Sequence, residues 1–135
     1  MPRLNQNIFR AYDIRGIAAP KDATQTADLT AETAYFIGLG TATYLKEKYA
    51  TKNMAVGCDI RLTSEDLKSA FIKGVLECGI DVTDIGASIS PIIYWASCAM
   101  PFDSATNITA SHNPKEYNGV KLVAKNAHSI CGEDL

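Results

Sequence analysis

Residues 54–58, Met54-Ala55-Val56-Gly57-Cys58, carry no charged or strongly polar side chain, and this run constrains the fold more than any other stretch. Successive side chains of a strand point to opposite faces, so a strand that is apolar at every position must be covered on both sides. Sheets covered on both faces are typically parallel, with helices packed above and below. The flanking sequence supplies such helices. From about Thr30 to Tyr49, with Thr30 as N-cap, Ala31, Tyr35, Gly38, Ala42, Leu45 and Tyr49 recur at helical spacing. A second helix starts near Ser64, with Glu65 and Asp66 in its first turn, Leu67, Phe71, Val75 and Cys78 on its apolar face, and Gly79 as its C′ residue.

The alternation continues. Ile80 to Ile85 reads as a strand closed by Gly86, and Ser90-Pro91 as an N-cap with proline at the first helical position. That opens a third helix through Ile92, Ile93, Trp95, Ala96 and Ala99, on which Tyr94 and Trp95 are expected in the core or at an interface. Ser104 to Thr109 is another strand, Asn118-Gly119 a turn signal, and Val120 to Val123 the return strand of an antiparallel pair. The expected fold is a three-layer α/β/α domain with a mixed, mostly parallel sheet of about four strands, the last antiparallel. Residues 1–135 form one domain, and Gly132-Glu133-Asp134-Leu135 reads as the first turn of a final helix that the chain does not continue.

Composition excludes several classes. With 47% apolar and 21% charged residues and a net charge of −2, the chain matches an ordinary globular domain and lacks the basic excess of nucleic-acid or membrane-surface proteins. Residues 1–7 have no apolar stretch resembling a signal peptide, and no run approaches the roughly 18 apolar residues of a membrane helix. Cys58, Cys78, Cys98 and Cys131 form no Cys-x-x-Cys pair and read as reduced, buried, structural residues of a cytoplasmic protein. Asn107-Ile108-Thr109 matches a glycosylation sequon by chance.

Chemistry concentrates in the loop Thr109-Ala110-Ser111-His112-Asn113-Pro114. Serine, asparagine and proline are also ordinary turn formers. The loop nevertheless follows a strand end, where α/β sheets place ligands, and Lys121 lies close behind. No Gly-x-Ser-x-Gly elbow supports a hydrolase nucleophile. Phosphoryl transfer asks mainly for positioning and charge stabilisation, and a serine oxygen can carry a phosphoryl group if cations surround it. The second such stretch is Phe9-Arg10-Ala11-Tyr12-Asp13-Ile14-Arg15-Gly16. It reads either as an edge strand or turn with Asp13 and Arg15 paired at the surface, or as a site where Arg15 grips a phosphate with Tyr12 as a hydroxyl donor. Arg61 is expected to be a solvated charge or a structural ion pair, with a phosphate contact as the alternative, and His128 a surface residue.

Together these two stretches, continued by Tyr117-Asn118-Gly119-Val120-Lys121, resemble the α-D-phosphohexomutase family, in its bacterial phosphomannomutase/phosphoglucomutase branch. The resemblance covers nearly the whole chain and matches the first of the family's four domains. Cys58 and Ile60 depart from it, standing where the usual run has Arg and Gly.

The resemblance implies an enzyme that interconverts hexose 1-phosphate and 6-phosphate, of glucose or mannose, through a phosphoserine and a glucose or mannose 1,6-bisphosphate intermediate. By it Ser111 carries the phosphoryl group, Arg15 and Lys121 assist proton transfer and steady phosphates, and His112 and Asn113 flank the serine. Tyr12 matches a substrate contact. Mg²⁺ would touch the Ser111 phosphoryl group, its other ligands lying outside this chain. The partners implied are a hexose phosphate and the remaining domains of the same protein, without which the chain is expected to be inactive. The alternative is a non-catalytic phosphate- or sugar-phosphate-binding domain.

Overall fold

In the computed structural model, which describes residues 4–135, the elements run β1 (Ile14–Ile17), α1 (Ala31–Tyr49), β2 (Asn53–Cys58), α2 (Ser64–Glu77), β3 (Asp81–Ala87), α3 (Ser90–Ala99), β4 (Ser104–Ile108), β5 (Tyr117–Ala124) and β6 (His128–Ser129). One mixed sheet has the order β1-β5-β4-β2-β3, with β6 beside the far end of β5. β2 is parallel to β3 and β4, and β5 is antiparallel to β4, β1 and β6. The α/β class and the mixed sheet are as expected, but there are six strands rather than about four, and three of the five pairings are antiparallel, so the sheet is not mostly parallel. The additional ones, β1 and β6, are four and two residues long, too short to show a period in sequence.

The apolar run in β2 is explained by its two faces. Met54, Val56 and Cys58 point into a core with Leu45 of α1 and Phe71 and Val75 of α2. Ala55 points the other way, against Ile93 of α3, Ala105 and Val123. Cys58 is buried, and burial together with the Glu65 carboxylate pushes its thiol up to about 11, so it remains an inert thiol. The other cysteines are free as well, but Cys98 is exposed and Cys78 and Cys131 are only half-buried, rather than buried as expected.

Thr30 caps α1, its hydroxyl accepting from the Thr33 N–H at 3.1 Å. The buried stripe of α1 runs through Ala34, Ile37, Gly38, Thr41, Ala42 and Leu45. It keeps Gly38, Ala42 and Leu45 of the expected set, whereas Ala31 is exposed. The shift comes from α2, which crosses so closely that a Cβ on Gly38 would stand 2.3 Å from the Phe71 carbonyl oxygen. α2 ends as expected, with Gly79 at φ +75. β3 runs through Gly86 to Ala87 instead of closing there, because Gly86, at φ +71, absorbs a register shift against β2. In α3, Ile89 is the N-cap and Ser90 already helical; Pro91 fits the first turn, where its missing N–H is not needed. Trp95 is 57% exposed, so it belongs to no core of this domain, while Tyr94 packs partly against the inner cluster. His128 is exposed, as expected. No helix among the described residues is long and apolar enough to cross a membrane.

One turn signal proves to be something else. Asn118 and Gly119 lie inside β5, paired with Gly16 and Arg15, and the connection to β4 is the loop 109–116. Gly119 is required for close approach: a Cβ there would stand 2.3 Å from the Ile14 carbonyl oxygen and 2.8 Å from that of Thr109. Gly119→Ala is expected to lower stability by at least about 1–3 kcal/mol, the scale of overpacking, read as a fall in the urea midpoint. An unchanged midpoint would contradict this packing.

Candidate active site

The site is built on one row of the sheet. Cys58, Ile108, Val120 and Ile14 are neighbours across β2, β4, β5 and β1. The next row out brings together Asp59, Thr109, Gly119 and Arg15, with Asp59 N–H donating to the Ile108 carbonyl and Thr109 N–H to that of Gly119, both at 2.9 Å. Four segments distant in sequence thus meet where β2 and β4 end.

Beyond this row the chain turns sharply. Ser111 has φ +52, in the left-handed region, a conformation that costs a non-glycine residue about 1–2 kcal/mol. The turn is held from below by Thr109, whose hydroxyl accepts from the Ser111 N–H at 2.9 Å and donates to Asp59 at 2.7 Å. Asp59 also accepts from the Ser64 hydroxyl, the Arg61 N–H and Arg61 Nε. Burial would raise the Asp59 carboxyl, but these donors and the Arg61 charge hold it below the ordinary carboxylate range. Arg61 then reaches across the loop and donates to the carbonyls of Ser111, Asn113, Pro114 and Tyr117. It is the structural ion pair, with Asp59 at 3.2 Å and only 15% of its side chain exposed.

A second acidic residue organises the other side. Asp13 is 5% exposed, not at the surface. Its carboxylate accepts from Arg15 Nε at 3.0 Å, Arg15 Nη2 at 2.8 Å and Lys121 Nζ at 2.8 Å. Burial would push this carboxyl up as well, yet the bonds and charges of Arg15 and Lys121 hold it low. Arg15 Nη1 turns back to the loop, donating to the Ala110 carbonyl at 3.2 Å and to Asn113 Oδ1. Strand geometry places both cations together: Arg15 pairs with Gly119, and Lys121 lies two residues along β5 on the same face.

Arg15, Lys121, Asn113, Asp13 and Tyr12 line one cleft of about 630 Å³, joined by Arg10. Tyr12 is 80% exposed at its mouth. Ser111 and His112 are exposed on the loop, outside the lining residues, and the Ser111 hydroxyl has no hydrogen-bond partner among the described residues. The structure therefore gathers Arg15, Lys121, Asn113 and Tyr12 directly, and ties Ser111 to them through its loop backbone. Sequence reasoning missed Asp13 as a buried anchor, Asp59, Thr109 and the reach of Arg61. A signal was available: Asp-Ile-Arg occurs twice, at 13–15 and 59–61, and both copies grip this loop.

The phosphoglucomutase/phosphomannomutase family profile, for its alpha/beta/alpha domain I, matches residues 6–134. The chain belongs to this family. As a phosphoglucomutase/phosphomannomutase domain I it is 43% identical over 126 residues to a phosphomannomutase of Vibrio cholerae and 40% identical over 136 residues to a phosphomannomutase/phosphoglucomutase of Pseudomonas aeruginosa. These alignments cover 93% and 99% of the chain and 26% of each relative, so the chain spans about a quarter of their length. Against a phosphomannomutase of Klebsiella pneumoniae it is 42% identical, covering 93% of the chain and 73% of that relative. A crystal structure described as a phosphomannomutase of Thermus thermophilus superposes with a TM-score of 0.78 at 24% identity, over 93% of this chain and 27% of that one, and shows the same fold.

Among the described residues there is no group of three His, Cys, Asp or Glu placed to hold a metal ion. The two carboxylates beside the loop are already committed, Asp13 to Arg15 and Lys121 and Asp59 to Arg61, Ser64 and Thr109.

Proposed function

We propose that this chain is the phosphoserine-bearing N-terminal domain of a longer sugar-phosphate mutase, which interconverts the 1- and 6-phosphates of glucose or mannose. The observation that carries this reading is an exposed serine, held on a left-handed turn that Arg15 and Arg61 both grip, beside a cleft lined by Arg10, Arg15 and Lys121. Family membership and a span of about a quarter of the longer relatives agree with it.

In this reading phosphorylated Ser111 faces a hexose monophosphate in the cleft. A free sugar hydroxyl attacks phosphorus; the new phosphorus–oxygen bond forms as the bond to Ser111 Oγ breaks, and the hydroxyl proton ends on the serine oxygen. The resulting bisphosphate returns its other phosphoryl group to Ser111. Arg15 and Lys121, held in place by Asp13, stabilise the phosphoryl oxygens, and Asn113 and Tyr12 offer polar contacts to the sugar phosphate. Mg²⁺, when bound, would neutralise phosphoryl charge; this chain would offer it the Ser111 phosphoryl group, with other ligands from elsewhere in the protein. Arg15 Nη1 reaches the carbonyl of Ala110 and the side chain of Asn113, so it also steadies the loop that carries Ser111. His112 flanks the serine on the same exposed loop. A cytoplasmic setting suits a phosphorylated-sugar substrate.

Incubation of the complete gene product with glucose 1,6-bisphosphate is expected to add one phosphate, mapped by peptide mass spectrometry to Ser111. Phosphate on a different residue would overturn the assignment. Binding of the bisphosphate without any transfer would favour a non-catalytic sugar-phosphate-binding domain.

A further inference from the structure

We propose that Arg61 is a positioning residue for this phosphoryl transfer, acting through the backbone of the serine loop and not on the substrate. The inference rests on the mutase reading above. One guanidinium donates to the carbonyls of Pro114 at 2.6 Å, Asn113 at 2.7 Å, Tyr117 at 3.0 Å and Ser111 at 3.1 Å, while its Nε is held by Asp59 at 3.2 Å. Four inward-turned carbonyls on one side chain define the path of the loop from the serine to the start of β5. A planar fork with five donors can do this; a lysine ammonium, with three donors on a flexible stem, cannot span the same set.

Arg61 stands apart from the substrate side. It does not line the cleft of Arg15 and Lys121. It borders a separate hollow with Ile60, Leu62 and Lys115, where Ile60 and Leu62 are 92% and 99% exposed. Its influence on a reacting phosphate must therefore pass through the loop. The quantity it controls is the left-handed φ of +52 at Ser111. Without donors for those carbonyls, a serine would relax toward the ordinary right-handed or extended regions, and its hydroxyl would lose the fixed direction that the turn gives it. Asp59, pinned by Ser64 and Thr109, keeps the guanidinium from following the loop. Arg15 grips the same loop from the cleft side, so the two Asp-Ile-Arg stretches divide the work: one faces the ligand, the other holds the turn.

The test compares Arg61→Lys and Arg61→Gln in the complete gene product. Misplacement of a reacting group by about an ångström costs on the order of a hundredfold in rate, so kcat is expected to fall by about 10- to 100-fold in both variants while KM changes less than about threefold. Lysine preserves the charge opposite Asp59, so a Lys variant with wild-type kcat would overturn the proposal in favour of a plain ion pair. A raised KM with unchanged kcat would overturn it in favour of direct substrate contact. Backbone amide exchange supplies a readout independent of activity. The Asn113 and Tyr117 amides, bonded to Ala110 and Pro114 carbonyls within the loop, should exchange faster in both variants while α1 amides do not; unchanged loop exchange would overturn the clamp. Failure of the wild type to show mutase turnover would remove the catalytic reading and leave the clamp to be judged by exchange. Should both variants fail to fold, the wild type still decides: its Arg61 guanidinium N–H protons should give separate, slowly exchanging NMR signals, and one averaged signal would count against the clamp.

Discussion

Ser111→Ala is expected to reduce hexose-phosphate mutase turnover of the complete gene product by about a thousandfold or more, the scale on which enzymes lose a covalent nucleophile. The substitution removes only the oxygen that would carry the phosphoryl group. That oxygen makes no hydrogen bond among the described residues, and the residue is exposed, so the fold has little to lose with it. Ser111→Gly sharpens the experiment. Glycine adopts φ +52 without the clash that a side chain meets there, so this variant should be as stable as the wild type or more so and equally inactive. Activity and stability would then move in opposite directions at one position, which a merely structural serine could not produce. Turnover within about tenfold of wild type in either variant would remove the phosphoserine from the mechanism, since covalent catalysis is seldom worth so little.

Asp13→Asn is expected to lower folding stability by about 2–4 kcal/mol and turnover by about tenfold or more. The carboxylate is the shared counter-charge of Arg15 and Lys121, each 2.8 Å away. Without it two cations face each other beneath the serine loop, and neither is held toward the cleft. The stability loss stays below that of a fully buried pair because the Arg15 and Lys121 side chains keep 16% and 19% exposure and hence some water. The effect has a definite pH dependence. The folded-state value of Asp13 is lowered, so its contribution is fully present above the unfolded value of about 3.9 and is lost as the pH falls from there through the folded value. The stability gap between wild type and Asp13→Asn should therefore be constant near neutrality and close in acid. Asp59, lowered in the same sense, remains in the variant and keeps some acid sensitivity there. Urea unfolding at stepwise lower pH measures both, and a gap that widens in acid would contradict the role assigned to Asp13.

The reading of the elements from sequence succeeded where one local rule sufficed and failed where two elements had to meet. Thr30, Gly79 and the apolar run of β2 each announce themselves through a cap, a left-handed stop or a period. Asn118-Gly119 is the instructive failure. The same dipeptide that favours a hairpin turn here lies within β5, because the Ile14 and Thr109 carbonyls approach so closely that only glycine fits, and because the Asn118 amide is buried between Thr63 and Ser64. Trp95 fails for a related reason: a helical period shows which residues share a face, and only the packed sheet decides which face is covered.

At the site the division is similar. The amino-acid order alone was enough to establish an α/β domain, an unusual serine loop after a strand, the cations near it and the family they resemble, since these depend on residue types at short spacing. What only the folded chain decided is how those groups are held. Asp13 becomes a buried anchor because β1 pairs with β5 in the register that brings Lys121 beside Arg15. Arg61 becomes the clamp of the serine turn because β2 and β4 end side by side, placing the loop carbonyls within reach of one guanidinium. Both outcomes depend on contacts between residues about fifty to a hundred positions apart, and strand register, which sets such contacts, is determined by how the whole sheet buries its two faces.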